Sequence, residues 1–259
     1  MNNTIIYVHH AKPIHILKRE ISILSRLGKV IDIDTARSDK YSGINDFFEF
    51  SGYQFGLDLI LRENEYFEGN LFFLNSTIFD SHYSYLYVYL VKLIIRNYSK
   101  DKKQELYGLV QNKQDYKIVP TCFFCLSNFK FNYIDNIFVP EKLKINPINV
   151  NDLYVGNKNV YNERLDSWLF PKRFFGGWYK ASKFKSLGLD TVKRKKLAIF
   201  LEHILVSNLV TRDNFKLIDV SNFNYFVQIL VKIDIYKQMY FKIKYRLFTM
   251  LLHRPKVFK

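Results

Sequence analysis

The chain has 259 residues, 48% of them hydrophobic and 17% aromatic, which excludes global disorder and allows a substantial core. Its net charge of +15 is concentrated at one end: residues 1–163 carry 19 Lys or Arg against 18 Asp or Glu, and residues 164–259 carry 20 against 6. A polyanion or an anionic membrane surface is the natural partner of such a basic part. We find neither a signal peptide nor a run of about 20 apolar residues, which favours a cytoplasmic protein without a spanning helix.

The chain begins with a βαβ pattern. Residues 4–8 are a short β-branched run, residues 14–27 carry apolar side chains at helical spacing, and residues 29–34 predict a second strand. The strands of such a unit pair in parallel. Polar residues that follow these strands would lie at strand carboxyl ends, either as ligand contacts or as ordinary exposed residues: His9, His10 and Asp34.

A polar segment at 37–51 predicts a loop on the same edge of the sheet. Gly52 and Gly56 follow it, ahead of a predicted helix that carries Leu57 and Ile60. Glycines just before a helix could let a ligand approach the backbone closely.

The most informative stretch is residues 69–79, Gly-Asn-Leu-Phe-Phe-Leu-Asn-Ser-Thr-Ile-Phe. Its apolar run predicts a strand buried on both faces. Asn75, Ser76 and Thr77 follow at the carboxyl end, where open α/β sheets bind their ligands. The same three residue types are also favoured in plain turns, so a local turn is the alternative.

A Tyr-rich helix is predicted over residues 83–98, and shorter strands follow at 107–110, 116–119 and 121–126. The last strand contains the only two cysteines, in Cys122-Phe-Phe-Cys125. One CxxC pair supplies too few ligands for zinc, so we expect both cysteines to be core or strand residues.

Both tryptophans lie in one region, Trp168 beside Asp166 and Trp178 beside Tyr179. Aromatic faces stack on the apolar face of a sugar, while a carboxylate binds hydroxyls or removes a proton. This combination predicts a carbohydrate site, and two core indoles are the alternative.

A basic run, Lys193-Arg194-Lys195-Lys196, precedes an apolar segment that ends at Glu202. The cations could bind a diphosphate or form a solvated surface, and Glu202 could act as an acid or base. From Phe223 onward, rings and aliphatic residues alternate with Lys and Arg, and Asp234 is the only acid. This pattern favours a helix on an anionic membrane surface; packing on the core and binding of single-stranded nucleic acid are the alternatives.

The segment Gly52-Tyr53-Gln54-Phe55-Gly56, followed about 15 residues later by Leu71-Phe72-Phe73-Leu74-Asn75-Ser76-Thr77-Ile78-Phe79, resembles a known motif. It is similar to the "GyDfG … lllNDS-f-G" pattern of bacterial polysaccharide glycosyltransferases related to the rhamnan synthesis protein F family. The segments around Trp168, Trp178 and Glu202 resemble downstream blocks of O-antigen and capsule transferases of that group. The resemblance covers roughly residues 4–207.

The resemblance implies a GT-A-like α/β fold, a Rossmann-type mixed or parallel sheet flanked by helices, that binds a nucleotide sugar. Asn75, Ser76 and Thr77 occupy the family's Asn-Asp-Ser position, where many GT-A enzymes bind a metal. Because Ser76 and Gln54 replace the family's acids, a Mg²⁺ or Mn²⁺ cofactor stays an open alternative, with Asp80 as a substitute ligand. Without metal, cations would stabilise the leaving diphosphate: Lys172, Arg173, Lys193 and Arg194.

The sequence thus predicts a hexosyl- or deoxyhexosyltransferase, peripheral on the inner face of the bacterial inner membrane. It would move a sugar from a nucleotide-sugar donor to a lipid-diphosphate-linked glycan in the synthesis of O-antigen lipopolysaccharide or capsule, with Asp166 and then Glu202 as candidate bases. Residues 1–210 would form the transferase domain and residues 211–259 a basic amphipathic helical extension. The alternatives are a nucleic-acid-binding protein and an inactive transferase-like assembly partner.

Overall fold

The computed structural model describes residues 2–36, 49–61, 66–98, 103–112, 117–130, 138, 198–206 and 208–252. The strands in these ranges are β1 (Asn2–His9), β2 (Lys29–Asp34), β3 (Tyr66–Asn75), β4 (Glu105–Gly108), β5 (Gln111–Asn112), β6 (Lys117–Ile118), β7 (Phe123–Lys130) and β8 (Lys216–Asp219). The α-helices are α1 (Ile14–Leu24), α2 (Glu49–Leu61), α3 (Thr77–Asp80), α4 (Ser84–Arg96), α5 (198–206) and α6 (Tyr225–Leu252).

Six strands form one mixed sheet in the order β2-β1-β3-β7-β4-β8. β1 pairs in parallel with both β2 and β3, and β4 pairs in parallel with β8. β7 is antiparallel to β3 and to β4, so it is the one reversed strand of the six. The predicted α/β class, with a mixed sheet flanked by helices and a parallel βαβ unit at its start, is confirmed, and the architecture is compatible with a Rossmann-like fold.

The apolar run of β3 explains why this strand lies in the middle of the sheet. Leu71, Phe72, Phe73 and Leu74 are all fully buried. Because successive side chains point to opposite faces, Leu71 and Phe73 join the core under α2 and α5, and the other two join the core under α1 and α4. The prediction of a strand buried on both faces is confirmed.

The two cysteines are core residues, as predicted. Cys122 is 8% exposed just before β7, and Cys125 is fully buried within that strand. Both thiols are free and belong to the core on the α1 and α4 face of the sheet.

The two glycines predicted ahead of a helix lie inside it instead. Gly52 and Gly56 are buried residues of α2, at the points where this helix crosses β1. A Cβ atom on Gly52 would come within 2.6 Å of Val8 Cγ1, and one on Gly56 within 2.5 Å of Ile6 Cγ2. Their small size lets helix and strand approach closely, so the prediction that they precede the helix and admit a ligand is corrected to a packing role.

α6 is docked on the domain by a buried polar cluster. The Asp234 carboxylate is 2.9 Å from His82 Nδ1, accepts from Tyr87 Oη at 3.1 Å and from Gln238 Nε2 at 2.8 Å, and accepts from the backbone N–H of Tyr83. Burial is the largest single effect on the pKa of His82 and would lower it, but the interactions of the ring with Asp234 and Cys122 together raise that pKa to about 10. Burial is likewise the largest effect on the pKa of Asp234 and would raise it, but the contacts with His82, the Tyr83 N–H and Gln238 together hold it below its usual value.

The sequence predicts a boundary at residue 210 between the domain and a C-terminal extension. β8 lies beyond that boundary, yet it pairs with β4 over the register Glu105–Lys216 to Gly108–Asp219. Val227 and Leu230 at the start of α6 are also buried in the main core. Residues after 210 therefore contribute an edge strand and a packed helix to the same sheet. None of the described helices is both long and apolar enough to cross a bilayer.

Candidate functional site

The strand order β2-β1-β3 creates a topological switch point, because β2 and β3 lie on opposite sides of β1. Open α/β sheets bind ligands in the crevice outside the carboxyl ends of the strands at such a point. A cleft of about 250 Å³ lies there. Its lining residues are Val8, His9, His10, Thr35, Glu49, Asn75, Ser76 and Thr77. The structure thus brings four of the predicted donor-binding residues, His9 and 75–77, to one cavity.

The end of β3 combines a turn with the wall of the cleft. Asn75 Oδ1 accepts from the backbone N–H and from the hydroxyl of Thr77, which turns the chain into the short helix α3. The Ser76 N–H donates to the Val8 carbonyl at 2.9 Å and ties this turn to β1. Because Oδ1 is used in the turn, the amide NH₂ is the part of Asn75 that can serve a ligand.

His9 is buried at the base of the cleft with 3% of its surface exposed. Its Nε2 lies 3.0 Å from Asp32 Oδ1, within ion-pair range, but neither ring nitrogen has hydrogen-bond geometry with another described residue. The Thr35 hydroxyl donates to the His9 carbonyl at 3.1 Å and lies 3.2 Å from His10 Nδ1. Thr35 thus fixes the backbone of His9, and the imidazole lies between two carboxylates, because its Nδ1 is also 3.8 Å from Asp34 Oδ1.

Asp34, another predicted donor-binding residue, does not line the cleft. Its Oδ1 accepts from the backbone N–H groups of Ala11 and Ala36, each at 3.0 Å. The carboxylate thereby joins the segment after β1 to the segment after β2. This bracing role shapes the edge of the sheet.

Glu49, in the first turn of α2, is a cleft residue that the sequence interpretation missed. It lay at the end of the predicted polar loop at 37–51, and no local pattern distinguished it from the other acids there. Its Oε1 accepts from the Thr121 hydroxyl at 2.9 Å. The side chain thus reaches from α2 toward the residue that leads into β7.

Thr121 is the common partner of two carboxylates. While its hydroxyl donates to Glu49, its N–H donates to Glu202 Oε1 at 3.3 Å, and its carbonyl accepts from the Tyr53 phenol at 2.7 Å. Burial, with the nearby Glu49 carboxylate, raises the pKa of Tyr53 well above its ordinary value, so the phenol stays a donor. Glu202, a predicted catalytic residue on α5, is half-buried and is not among the described residues that line the cleft.

Asp80, the substitute metal ligand, is engaged by a lysine. Lys12 Nζ lies 3.0 Å from Asp80 Oδ1 and 2.5 Å from Oε1 of the buried Glu20, which also accepts from the Tyr7 phenol. In the part of the chain that the structure describes, no group of three His, Cys, Asp or Glu is arranged to hold a metal ion.

The remaining predicted site residues lie outside the described residues. They are Asp166, Trp168, Lys172, Arg173, Trp178, Tyr179, Lys193 and Arg194. Their roles as base, sugar platform and diphosphate ligands stay predictions.

No family model, curated protein or solved structure matches the chain. The functional conclusion therefore depends on the geometry of the cleft and on the residues that line it.

Proposed function

We propose that the protein is a glycosyltransferase that binds a nucleotide-sugar donor at the switch point of its sheet. The observation that carries this proposal is the cleft at the carboxyl ends of β1 and β3, lined by His9 and by residues 75–77. Such a crevice is the usual nucleotide site of doubly wound sheets. A mixed sheet with a single reversed strand among the six is also compatible with the GT-A-like fold that the sequence motif implies.

The reaction needs a base for the acceptor hydroxyl and positive charge for the departing diphosphate. The basic residues near 172 and 193 and the carboxylate of Asp166 are the candidates for these roles. The acceptor would be a lipid-diphosphate-linked glycan of a bacterial surface polysaccharide.

A thermal-shift screen of the full chain against nucleotide sugars tests this function. A bound donor raises the apparent melting temperature by mass action, so at least one of the UDP, GDP, dTDP, ADP or CMP sugars should shift the transition. The double variant Asn75→Ala, Ser76→Ala should lose the shift, and Ser22→Ala on α1 serves as an unrelated control. A wild-type protein that is shifted by no nucleotide sugar, and releases no nucleotide from any, would contradict the proposal.

The proposed enzyme is peripheral on a membrane through α6. Among the side chains of this helix that the structure describes, ten large hydrophobic ones are exposed: Tyr225, Phe226, Ile229, Ile233, Ile235, Tyr236, Met239, Tyr240, Phe241 and Ile243. Lys232 and Lys244 are exposed on the same helix. Exposed apolar groups next to cations favour the interface of an anionic bilayer. Half of the ten are aliphatic side chains, which cannot stack on bases, so a membrane fits this helix better than single-stranded nucleic acid does.

Sedimentation with vesicles tests the membrane proposal. We expect wild-type protein to bind vesicles that contain phosphatidylglycerol and to release them at high salt, because part of the attraction is electrostatic. Ile235→Ser should weaken binding about fivefold, the equivalent of roughly 1 kcal/mol of lost apolar burial. Ile14→Ser is the matched control, since Ile14 is 60% exposed on α1 and Ile235 is 50% exposed on α6. Equal losses in the two variants, or preferential binding of single-stranded RNA, would contradict the membrane role of α6.

A further inference from the structure

We propose that a second cavity of the protein binds a phosphate ester whose alcohol part carries free hydroxyl groups. Glycerol phosphate and the sugar phosphates belong to this class, and the head group of phosphatidylglycerol presents the same chemistry at a membrane. The cavity lies where β4 and β8 begin, whereas the donor cleft lies where β1 and β3 end. The site is thus separate from the donor cleft and does not depend on the transferase proposal.

The cavity is large enough for a ligand of this kind. Its volume of about 430 Å³ falls within the range of about 300–1,000 Å³ that is usual for small-molecule sites. Among its lining residues are Lys103, Glu105, Tyr107, Lys216, Ile218 and Phe223. They belong to β4, to β8 and to the segments that flank these strands, so two neighbouring strands at the end of the sheet bring them together.

A buried carboxylate forms the floor of the cavity. Glu105 is 4% exposed, and its Oε2 accepts from the Tyr107 phenol. Burial, with this bond, raises the pKa of Tyr107 well above its ordinary value, so the phenol stays a donor. Among the described residues, that phenol is the one hydrogen-bond partner of the Glu105 side chain. Because a carboxylate has about four acceptor sites, the floor can also accept from hydroxyl groups of a ligand.

Two lysines lie at the rim of the same cavity. Lys103 and Lys216 are both exposed, and Lys216 is the register partner of Glu105 across the parallel pair of β4 and β8. The lysine ammonium group is a common phosphate ligand, and a phosphate monoester carries a charge of about −1.5 to −2 at pH 7. The two ammonium groups at the rim therefore suit a phosphate, while the buried carboxylate suits hydroxyl groups.

The wall of the cavity is apolar. The rings of Tyr107 and Phe223 lie with their centroids 6.2 Å apart in an edge-to-face arrangement, and Ile218 is the register partner of Tyr107. Such a wall can contact the carbon skeleton of a polyol, which inorganic phosphate lacks. The cavity therefore predicts a preference for the ester over the free anion.

Isothermal titration of the full chain at low salt tests the rim of the site. The probes are glycerol 3-phosphate, glucose 1-phosphate and inorganic phosphate. The double variant Lys103→Gln, Lys216→Gln should weaken binding of the better ester about fivefold, since each exposed ion pair contributes little. The control Lys18→Gln, Lys29→Gln removes the same charge from exposed positions of α1 and β2 and should leave that affinity unchanged.

The same titrations test the floor of the site. Wild-type protein should bind at least one of the esters about tenfold or more tightly than inorganic phosphate, as expected for hydrogen bonds to a charged acceptor. Glu105→Gln keeps an oxygen for the Tyr107 phenol but loses the charge, so this preference should fall to about threefold or less. If Glu105→Gln does not fold, the lysine double variant still tests the site, because both of its positions are exposed.

Three results would overturn the proposal. They are equal wild-type affinity for the esters and inorganic phosphate, an unchanged ester affinity in the lysine double variant, and loss of ester binding in Asn75→Ala, Ser76→Ala. The last result would place the ester in the donor cleft. A failure of the second site leaves the transferase proposal standing, because nucleotide sugars are tested separately at the cleft.

Vesicle sedimentation identifies the source of the phosphate ester. Phe223 lies two residues before α6 begins, so a lipid head group at the surface of this helix is close to the cavity. Phosphatidylglycerol and phosphatidylserine carry the same net charge, but only the former has free hydroxyl groups. A wild-type preference for phosphatidylglycerol that Glu105→Gln removes assigns the lipid head group, and ester binding without such a preference assigns a soluble phosphate ester.

Discussion

Single residues of the Asp234 cluster carry much of the attachment of α6. Replacing Asp234 with Ala would leave the buried His82 ring without its carboxylate, and would remove the acceptor for Tyr83 N–H. Loss of one partner from a buried pair costs about 3–5 kcal/mol, so we expect the free energy of unfolding to fall by that amount. Urea denaturation measures it. As a control, Gln228→Ala at an exposed position of the same helix should change the free energy of unfolding by no more than about 0.5 kcal/mol. A similarly small change in Asp234→Ala would contradict the proposed role of the Asp234 cluster in attaching α6.

The same pair makes stability depend on pH in a predictable direction. His82 has a pKa of about 10 when folded against 6.5 when unfolded, so between these values the folded state holds a proton that the unfolded state has lost. Its contribution is complete below pH 6.5 and is lost as the pH rises toward 10. Asp234, with a depressed pKa, contributes above its unfolded value and loses that contribution in acid.

Urea midpoints of wild type and His82→Gln across the alkaline range isolate this effect, because other titrating groups are common to both proteins. We expect the stability gap between the two proteins to shrink as the pH rises from 6.5 to 10. A gap that stays constant over this range would show that His82 is not protonated in the folded protein.

At the scale of elements, the contact between α2 and β1 depends on glycines. An alanine at position 56 gains helix propensity, but its Cβ would sit 2.5 Å from Ile6 Cγ2. We expect Gly56→Ala to destabilise the protein by about 1–3 kcal/mol through overpacking. In an Ile6→Ala background the colliding atoms are gone, so the cost of Gly56→Ala should fall below 1 kcal/mol. Additive effects in this double-mutant cycle, measured by urea denaturation, would mean that the helix does not approach β1 so closely.

The elements also show what the sequence predicts and what it does not. β3 and α4 follow from strong local patterns, an unbroken apolar run and a helical Tyr-Leu repeat, and the structure contains both. The role of Gly52 and Gly56 depends on the distance between a helix and a strand, which is a tertiary property and leaves no local signal. Glu49 and Thr121 lie 72 positions apart, so their contact could not be read from spacing either.

At the scale of the whole molecule, the segment after residue 210 belongs to the sheet. A chain that stops after residue 210 loses β8, leaves β4 as an unpaired edge and uncovers the core around Val227 and Leu230. We expect this fragment to show no cooperative thermal unfolding. A chain that stops after Tyr240 keeps the buried residues Val227, Leu230 and Asp234 of α6 together with the Asp234 cluster, and it should unfold cooperatively. Cooperative unfolding of the shorter fragment in a calorimeter would instead support an independent domain that ends at 210.

The edge of the sheet that carries the cleft is only partly predictable from the sequence, because it is formed by parts of the chain that are far apart in sequence. The positions of His9 and Asn75 follow from counting strands, because parallel strands end on the same edge. Which polar side chains brace the edge, form the turn or line the cleft depends on which loops meet there. The sequence predicts Asp34 as a donor contact and offers Asp80 as a substitute metal ligand, and both are bonded to neighbouring groups in the structure.

The reversed direction of β7 has a consequence for this edge. The other five strands have their carboxyl ends at this edge of the sheet, whereas β7 begins there. A residue just before β7 can therefore place its backbone N–H and its hydroxyl at this edge. Thr121 occupies that position. The antiparallel direction of β7 thus provides the hydrogen-bond donors that hold the Glu49 and Glu202 carboxylates, at an edge where the other strands end.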